Sequence, residues 1–289
     1  MQNHAVELCG KDERFYDFCL WEYAPLTPLS GKIRSINLLY NSFIAAKVND
    51  ENAIAICNKI RSDIGSNKTV WGVKKIGESI SWELYFYDYQ RLERASSISR
   101  IIKSLKPEIN CHLQFEEHKP YFMFSIDLTP STINDHTDID EINIYIGSVS
   151  SAVSSGISYT LNNQGLQLGN LYYFFDRKKD FDDIVAKTAC SAHLELPKFN
   201  IASLLWPELI DCQTIVVANK KNNDGLYFSR VTVQQLIFFL RKCNYPKDIV
   251  SFIENNQDRL DHMLYDVGID YVMQDGDIKI IKSAYYGVF

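Results

Sequence analysis

The sequence lacks the signals of several common functional classes. No apolar run approaches the roughly 20 residues of a membrane-spanning helix, and the first residues lack a positively charged stretch followed by an apolar one. There is no run of Lys and Arg, and the formal net charge is −6. These absences predict a protein of the cytoplasm that has neither a membrane nor a nucleic acid as a partner.

Cysteine pairs with metal-binding or redox spacing are also missing. The seven cysteines are odd in number, widely scattered and never arranged as Cys-x-x-Cys. Neither a zinc site nor a disulfide framework is therefore indicated, and a reducing compartment is expected.

Aromatic residues, by contrast, are abundant. The chain has 17 Tyr and 16 Phe but only four Met. Because a tyrosine combines an apolar ring with a polar hydroxyl, this composition suggests an amphipathic lining somewhere in the fold.

The order of predicted elements changes near residue 69. Helical spacing is found before it, at 36–48 and 51–64, and returns later at 96–105, 180–192, 233–243 and 246–264. Paired strand patterns, most with a turn signal between them, predict five hairpins. They are 69–76 with 79–87, 121–128 with 142–146, 157–162 with 166–175, 214–219 with 226–231, and 267–273 with 278–288.

Ten antiparallel strands with helices on one face can form separate α+β domains or close into a barrel. No long Pro-, Gly- or Ser-rich linker divides the chain, which favours one barrel. We therefore expect an α+β fold in which a ten-stranded antiparallel barrel is surrounded by helices. Residues 1–289 would form a single domain, with 1–68 as an N-terminal helical segment and 69–289 as the five hairpin units.

Strand alternation predicts which side chains face the barrel interior. If the more apolar set of each strand faces the helices, the interior receives tyrosines, small polar groups and a few acids. The predicted interior side chains include Glu83, Tyr85, Tyr121, Asp127, Tyr145 and Tyr227. A solvated sheet face would carry more Lys, Glu and Thr, whereas an aromatic interior suits a chamber for an apolar or cationic organic group.

The last predicted strand places Lys282 and Tyr286 on one face, where a cation and a phenol could hold an anion. If Asp275-Gly276 forms a two-residue turn, Lys282 lies opposite Ile269, with Tyr271 on the same face.

Four stretches of the sequence resemble the αββα-barrel prenyltransferases, and most closely the cyanobactin prenyltransferases. They are residues 124–128 (FSIDL), 196–207 (LPKFNIASLLWP), 222–228 (NNDGLYF) and 282–289 (KSAYYGVF), and the similarity extends from about residue 69 to 289. The resemblance implies transfer of an isoprenoid, dimethylallyl in the first instance, from its diphosphate to a side chain of a ribosomal, usually cyclic, peptide. It also implies Mg²⁺ bound with the diphosphate and a monomeric enzyme.

The resemblance further implies roles for individual residues. Lys75, Lys282, Tyr286 and Tyr227 match positions that contact the donor diphosphate. Trp71 stands where the family has its carboxylate base, and it would instead form the chamber wall together with Tyr85, Tyr145, Tyr121 and Tyr271.

The general base is thus displaced, and three replacements are open. Glu83 is the first candidate, since it lies across one hairpin from Trp71, and Asp127 is the second. Alternatively, the acids bind a guanidinium of the acceptor. The competing hypotheses for the whole chain are a barrel of the same ancestry that binds an isoprenoid diphosphate or peptide without catalysis, an enzyme with a small aromatic acceptor, and an unrelated α+β scaffold.

Overall fold

The fold is organised around a closed barrel of ten antiparallel strands, seen in a computed structural model that describes residues 6–89, 96–115, 117–148, 154–195 and 199–289. A short hairpin, β1 (Phe15–Tyr16) and β2 (Glu22–Tyr23), precedes the barrel. The barrel strands are β3 (Thr69–Ile76), β4 (Ser79–Tyr87), β5 (Met123–Leu128), β6 (Ile142–Ser148), β7 (Ser154–Asn162), β8 (Gly165–Asp176), β9 (Thr214–Asn219), β10 (Asp224–Val231), β11 (Tyr265–Gln274) and β12 (Asp277–Val288).

Each barrel strand pairs with the next strand in the chain, and β12 pairs with β3 to close the circle. This uninterrupted meander confirms the predicted ten-stranded antiparallel barrel. The predicted strands differ from the observed ones only at their ends, most of all at β5 and β7.

Helices pack on the outer face of the barrel. They are α1 (Ile36–Ala45), α2 (Asp50–Ile64), α3 (Ile98–Ser104), α4 (Pro130–Asp135), α5 (Phe181–Ala189), α6 (Val233–Lys242), α7 (Lys247–Asn255) and α8 (Gln257–Leu260). Within the described residues, no helix is long and apolar enough to cross a membrane.

Two helical features differ from the prediction. The polar stretch after β5 contains α4, which begins with Pro130 and is capped by the side chain of Thr129. The single helix expected at 246–264 is divided into α7 and α8, because the backbone leaves the helical conformation at Asn256.

The main hydrophobic core lies between the helices and the outer face of the barrel. On β4, alternation directs Trp82, Leu84 and Phe86 outward, and all three are buried. The Trp82 ring packs 4.8 Å from that of Phe43 on α1, and its indole N–H donates to Ser42. This burial of large apolar side chains is what fixes the faces of the strands, and it leaves the opposite face to line the interior.

The interior is crossed by a belt of five tyrosines on alternate strands, which we call the tyrosine belt. Its members are Tyr85, Tyr145, Tyr172, Tyr227 and Tyr286, on β4, β6, β8, β10 and β12. Successive ring centroids are 6.0 to 6.3 Å apart from Tyr286 through Tyr85, Tyr145 and Tyr172 to Tyr227.

The strands between these tyrosines carry small residues at the paired positions. Gly72, Ser125, Ser158, Ala218 and Gly268 lie directly opposite Tyr286, Tyr85, Tyr145, Tyr172 and Tyr227, respectively. Large side chains from alternate strands therefore share one layer of the barrel, and the small residues make room for their rings.

We predict that Gly268→Ala lowers the free energy of unfolding by about 1–3 kcal/mol, because a Cβ there would overlap the ring of Tyr227. Gly156→Ala is the matched control on the same inner face, since its Cβ would meet nothing closer than 3.9 Å. Urea denaturation of both variants makes the comparison. Equal stabilities would show that the ring of Tyr227 is not packed on Gly268.

Candidate functional site

The interior of the barrel divides along its axis into an apolar part and a charged part, with the tyrosine belt between them. On β4, Tyr85 stands between inward-facing Tyr87 and Glu83. On β12, Tyr286 lies between Val288 and Lys282 in the same alternation. The charged part lies towards the hairpin turns, and the apolar part towards the β1–β2 hairpin.

The apolar part is a cavity, which we call the chamber. It contains about 700 Å³ of space not filled by atoms, a figure that includes space open to solvent. Its lining consists of Phe18, Val70, Tyr85, Tyr87, Phe122, Met123, Tyr145, Gly156, Tyr172, Phe174, Val216, Tyr227, Phe228, Asp266, Val267 and Tyr286. With one exception, these residues present aromatic, aliphatic or backbone surface, as in sites for apolar organic molecules.

The tip of the β1–β2 hairpin covers one end of the chamber. The ring of Phe18 enters the lining and stacks on Phe174, with centroids 6.2 Å apart. The Phe18 carbonyl accepts a hydrogen bond from the hydroxyl of Tyr87, and the Cys19 carbonyl accepts one from Tyr89 at 2.8 Å. The tip is thus held on the chamber by ring stacking and hydrogen bonds.

The charged part is an alternating series of six side chains, which we call the ionic chain. In order, its members are Asp127, Lys74, Glu83, Lys282, Asp270 and Lys220. Successive N–O distances are 2.8, 3.1, 3.6, 3.4 and 2.6 Å. Three lysines and three carboxylates balance, so the ionic chain carries no net charge.

Burial and ion pairing shift the pKa values of the ionic chain in opposite directions. Burial would raise the pKa of Glu83, but the ammonium groups of Lys74 and Lys282 outweigh it and hold this pKa far below its ordinary value. Burial lowers the pKa of Lys220 to about 8, although Asp270 opposes the shift. A carboxylate with so low a pKa is a weak base, which argues against proton abstraction by Glu83 and in favour of a structural ionic role.

Most of the predicted site residues lie together inside the barrel. Glu83, Asp127 and Lys282 belong to the ionic chain, and Tyr85, Tyr145, Tyr227 and Tyr286 belong to the tyrosine belt. The hydroxyl of Tyr85 donates to Glu83, and that of Tyr227 lies 3.1 Å from the ammonium of Lys220, so the two layers are joined.

Trp71 and Lys75 lie on the outer face, which corrects their predicted places in the chamber. Gly72 and Lys74 face inward, and strand alternation therefore turns Trp71 and Lys75 outward. Trp71 packs edge-on against Tyr285 in the main core, and Lys75 donates to the carbonyl of Gly77.

Tyr121 and Tyr271 also lie outside the chamber. Tyr121 precedes the first residue of β5, so the alternation of that strand does not govern it; its ring packs on Phe124 and its hydroxyl donates to Glu117. Tyr271 follows inward-facing Asp270 on β11 and is buried in the main core.

The predicted pairing of Lys282 is shifted by one residue. Asp275 and Gly276 do form a two-residue turn, with φ of 55° and 86°, and Gln274 pairs with Asp277. A bulge then leaves Ile281 as an extra residue on β12, so Lys282 lies opposite Asp270 rather than Ile269.

Several interior residues were not predicted. Asp270 alternates with the outward-facing Ile269 and Tyr271 and could have been found from that pattern. Tyr172 is also on a predicted strand. Lys74 is followed by another lysine, and Asp266 precedes the predicted strand 267–273. Lys220 follows the end of β9 and Phe18 lies far outside the barrel strands, so no local pattern marks them.

The described residues contain no cluster of metal ligands, and the described part of the 196–207 stretch places its tryptophan outside the chamber. Across the described ranges, no group of three or more His, Cys, Asp and Glu side chains could hold a metal ion. Of the 196–207 stretch, residues 196–198 lie outside the described residues, and Trp206 packs on Phe239 of α6 rather than facing the chamber.

We predict that Glu83→Gln lowers the free energy of unfolding at pH 7 by about 3–5 kcal/mol, because it leaves Lys74 and Lys282 without their shared partner. Glu78→Gln is the matched control: this glutamate pairs with Lys75, its side chain is 97% exposed, and its loss should change little.

Acidification supplies a second readout for the same variant. The folded-state pKa of Glu83 is lowered from 4.5, so its stabilisation is complete above pH 4.5 and is lost as the pH falls further. The gap between the wild type and Glu83→Gln should therefore shrink from pH 7 to pH 3, measured by urea denaturation. A constant gap would contradict the ionic role.

Comparison with known proteins adds one relative. No protein-family model matches the chain. The chain is 24% identical, over an alignment 306 positions long, to a putative JmjC domain-containing protein, L887, of Acanthamoeba polyphaga mimivirus. The alignment covers 90% of this chain but 47% of the relative, so the chain spans about half the length of the protein it matches.

This relative overturns the identification as a prenyltransferase. JmjC domains have a jelly-roll, cupin-like fold, and proteins that carry them use Fe(II) and 2-oxoglutarate. The predicted prenyl transfer, the cyanobactin-type role and the Mg²⁺ cofactor are therefore wrong. The predicted isoprenoid and peptide partners, the monomeric state and the cytoplasmic location stay predictions.

Proposed function

We propose that this protein binds a small, largely apolar organic molecule in the chamber of its barrel. The observation that carries the proposal is the chamber itself: an aromatic-lined space within a closed barrel, covered at one end by a separate hairpin. Sites for small molecules are typically concave and mostly apolar, with few polar groups.

The tyrosine belt supports this function because its members contact one another. Tyr85, for example, lies 6.2 Å from Tyr145 and 6.0 Å from Tyr286, measured between ring centroids. The ionic chain beneath holds the hydroxyls of Tyr85 and Tyr227. Side chains that are fixed in this way lose little conformational freedom when a ligand binds, which favours affinity.

The hydrophobic effect supplies the driving force. At about 25 cal/mol per Å² of apolar surface, a ligand that buries roughly 200 Å² would gain about 5 kcal/mol before the cost of association. The ionic chain adds no net charge, so the belt side of the chamber does not by itself select an anion or a cation.

An iron-dependent activity is not supported by the described residues. They contain no cluster of metal-ligating side chains. Their barrel strands follow one another in chain order, whereas a jelly roll consists of two Greek keys. The name of the relative therefore supplies no reaction step for this chain.

We predict that N-phenyl-1-naphthylamine, a neutral apolar probe, becomes more fluorescent when it binds the protein, and that Val216→Phe weakens this binding by about tenfold or more. Val216 lines the chamber opposite Tyr227, so a larger side chain would occupy the space of the probe. The affinity is measured by fluorescence titration.

Leu168→Phe is the control, because this substitution adds the same side chain away from the chamber. Leu168 is 61% exposed on the outer face of β8. Equal loss of affinity in both variants, or no binding by the wild type, would refute the proposed function.

A further inference from the structure

Asp266 distinguishes the chamber from a purely apolar site. Among the described residues that line the chamber, it is the one charged side chain. It lies on β11 directly opposite Tyr286 and is 6% exposed. A buried carboxylate normally has a positively charged partner or a metal ion close by.

The partners of this carboxylate within the described residues are all neutral donors. Its oxygens accept hydrogen bonds from the Ser229 hydroxyl at 2.6 Å, the Phe18 N–H at 2.8 Å and the Arg230 backbone N–H at 3.1 Å. These bonds orient the carboxylate but do not neutralise its charge.

The guanidinium of Arg230, whose backbone N–H contacts Asp266, is engaged elsewhere. Arg230 directs its Nε to Asp17 at 2.9 Å and a terminal nitrogen to the Trp21 carbonyl. Arg230 thus balances Asp17 rather than Asp266. Burial, with Asp17 close by, raises the pKa of Asp266 to about 7.

The remaining charged and titratable groups near Asp266 are either paired or neutral. Asp266 also borders a second space, which is lined by Arg14, Arg34 and Arg61. Their guanidinium groups pair with Glu22, Glu13 and Glu7, respectively. Burial raises the pKa of Cys19, of Tyr23 on the hairpin and of Cys212, so each stays neutral near pH 7. Within the described residues, Asp266 thus has no cationic hydrogen-bond partner of its own.

The aromatic walls beside Asp266 suit a cation. Tyr87, Tyr286, Phe18 and Phe174 line the same space, and the faces of aromatic rings attract positive charge when water is excluded. An apolar body would then lie against the tyrosine belt.

We infer that the ligand of the chamber is an organic amine, bound with its ammonium group towards Asp266 and its apolar body against the tyrosine belt. This inference rests on the proposed function and adds the chemical class of the ligand. The hairpin tip would participate directly, because Phe18 both contacts the ligand and donates its N–H to Asp266.

Three matched ligands test the inference with the intact protein. They are 4-phenylbutylamine, 4-phenylbutanol and 4-phenylbutyrate, which share an apolar body and differ in the charge of the end group. Each is titrated against bound N-phenyl-1-naphthylamine at pH 8. We expect the amine to bind at least about tenfold more tightly than the alcohol, as for a hydrogen bond between charged groups, and the carboxylate to bind most weakly.

The pH dependence of this preference has a defined direction. Below about pH 7 Asp266 takes up a proton and loses its charge, whereas the alkylamine stays protonated. The ratio of amine to alcohol affinity should therefore fall as the pH is lowered from 8 to 5.5. Equal affinities at both pH values would overturn the inference while leaving the proposed function intact.

Asp266→Asn removes the charge at the site. Within this variant the amine and the alcohol should bind with similar affinities at every pH. The control is Asp211→Asn, whose side chain is 87% exposed outside the chamber and whose loss should leave the preference in place. A preference that survives in Asp266→Asn would also overturn the inference. If none of the three ligands displaces the probe, the proposed function itself fails.

Discussion

Closure of the barrel by the pairing of β12 with β3 is the constraint on which the rest of the structure depends. Six residue pairs, from Ser283 with Lys75 to Val288 with Val70, join the end of the chain to its first barrel strand. With ten strands, the interior is wider than the eight-stranded barrels that side chains alone can fill. The molecule must therefore either pack long side chains across the interior or leave a cavity, and it does both.

The two ends of the interior solve the problem of burying charge in different ways. In the ionic chain, each internal member has an opposite charge on both sides, so desolvation is offset by attraction. Asp266 has only neutral donors and a second carboxylate near it. The first arrangement balances its own charges and holds two hydroxyls of the tyrosine belt, whereas the second leaves a carboxylate without a cationic partner beside the apolar chamber.

The short motifs that resemble the prenyltransferases predicted the barrel but not the roles of its residues. Three of the four stretches on which the resemblance rested, 124–128, 222–228 and 282–289, lie on strands and turns of a barrel that the chain does form, and so the coarse architecture was predicted correctly. The residue roles depended on a register that the structure does not have: Trp71 and Lys75 face the helices instead of the chamber. The comparison with the mimiviral protein removes the functional part of the resemblance as well.

The sequence by itself determined the order of elements, the ten strands and the face of most residues on them. Alternation is a local property of an extended chain, so Glu83, Tyr85, Asp127 and Tyr145 could be assigned to the interior before any contact was known. The turn at Asp275-Gly276 was equally readable, because a two-residue turn with positive φ favours those residue types.

Only the tertiary structure decided which of these residues meet. The extra residue at Ile281 shifts Lys282 to a position opposite Asp270, and a bulge of this kind leaves no reliable mark in a pattern of alternating residues. Lys220 and Phe18 reach the interior from beyond the ends of the barrel strands, over sequence separations of 50 and 248 residues from Asp270 and Asp266, respectively. The ionic chain and the covered chamber arise from such contacts, since closing the barrel brings distant parts of the chain together in ways that local periodicity does not encode.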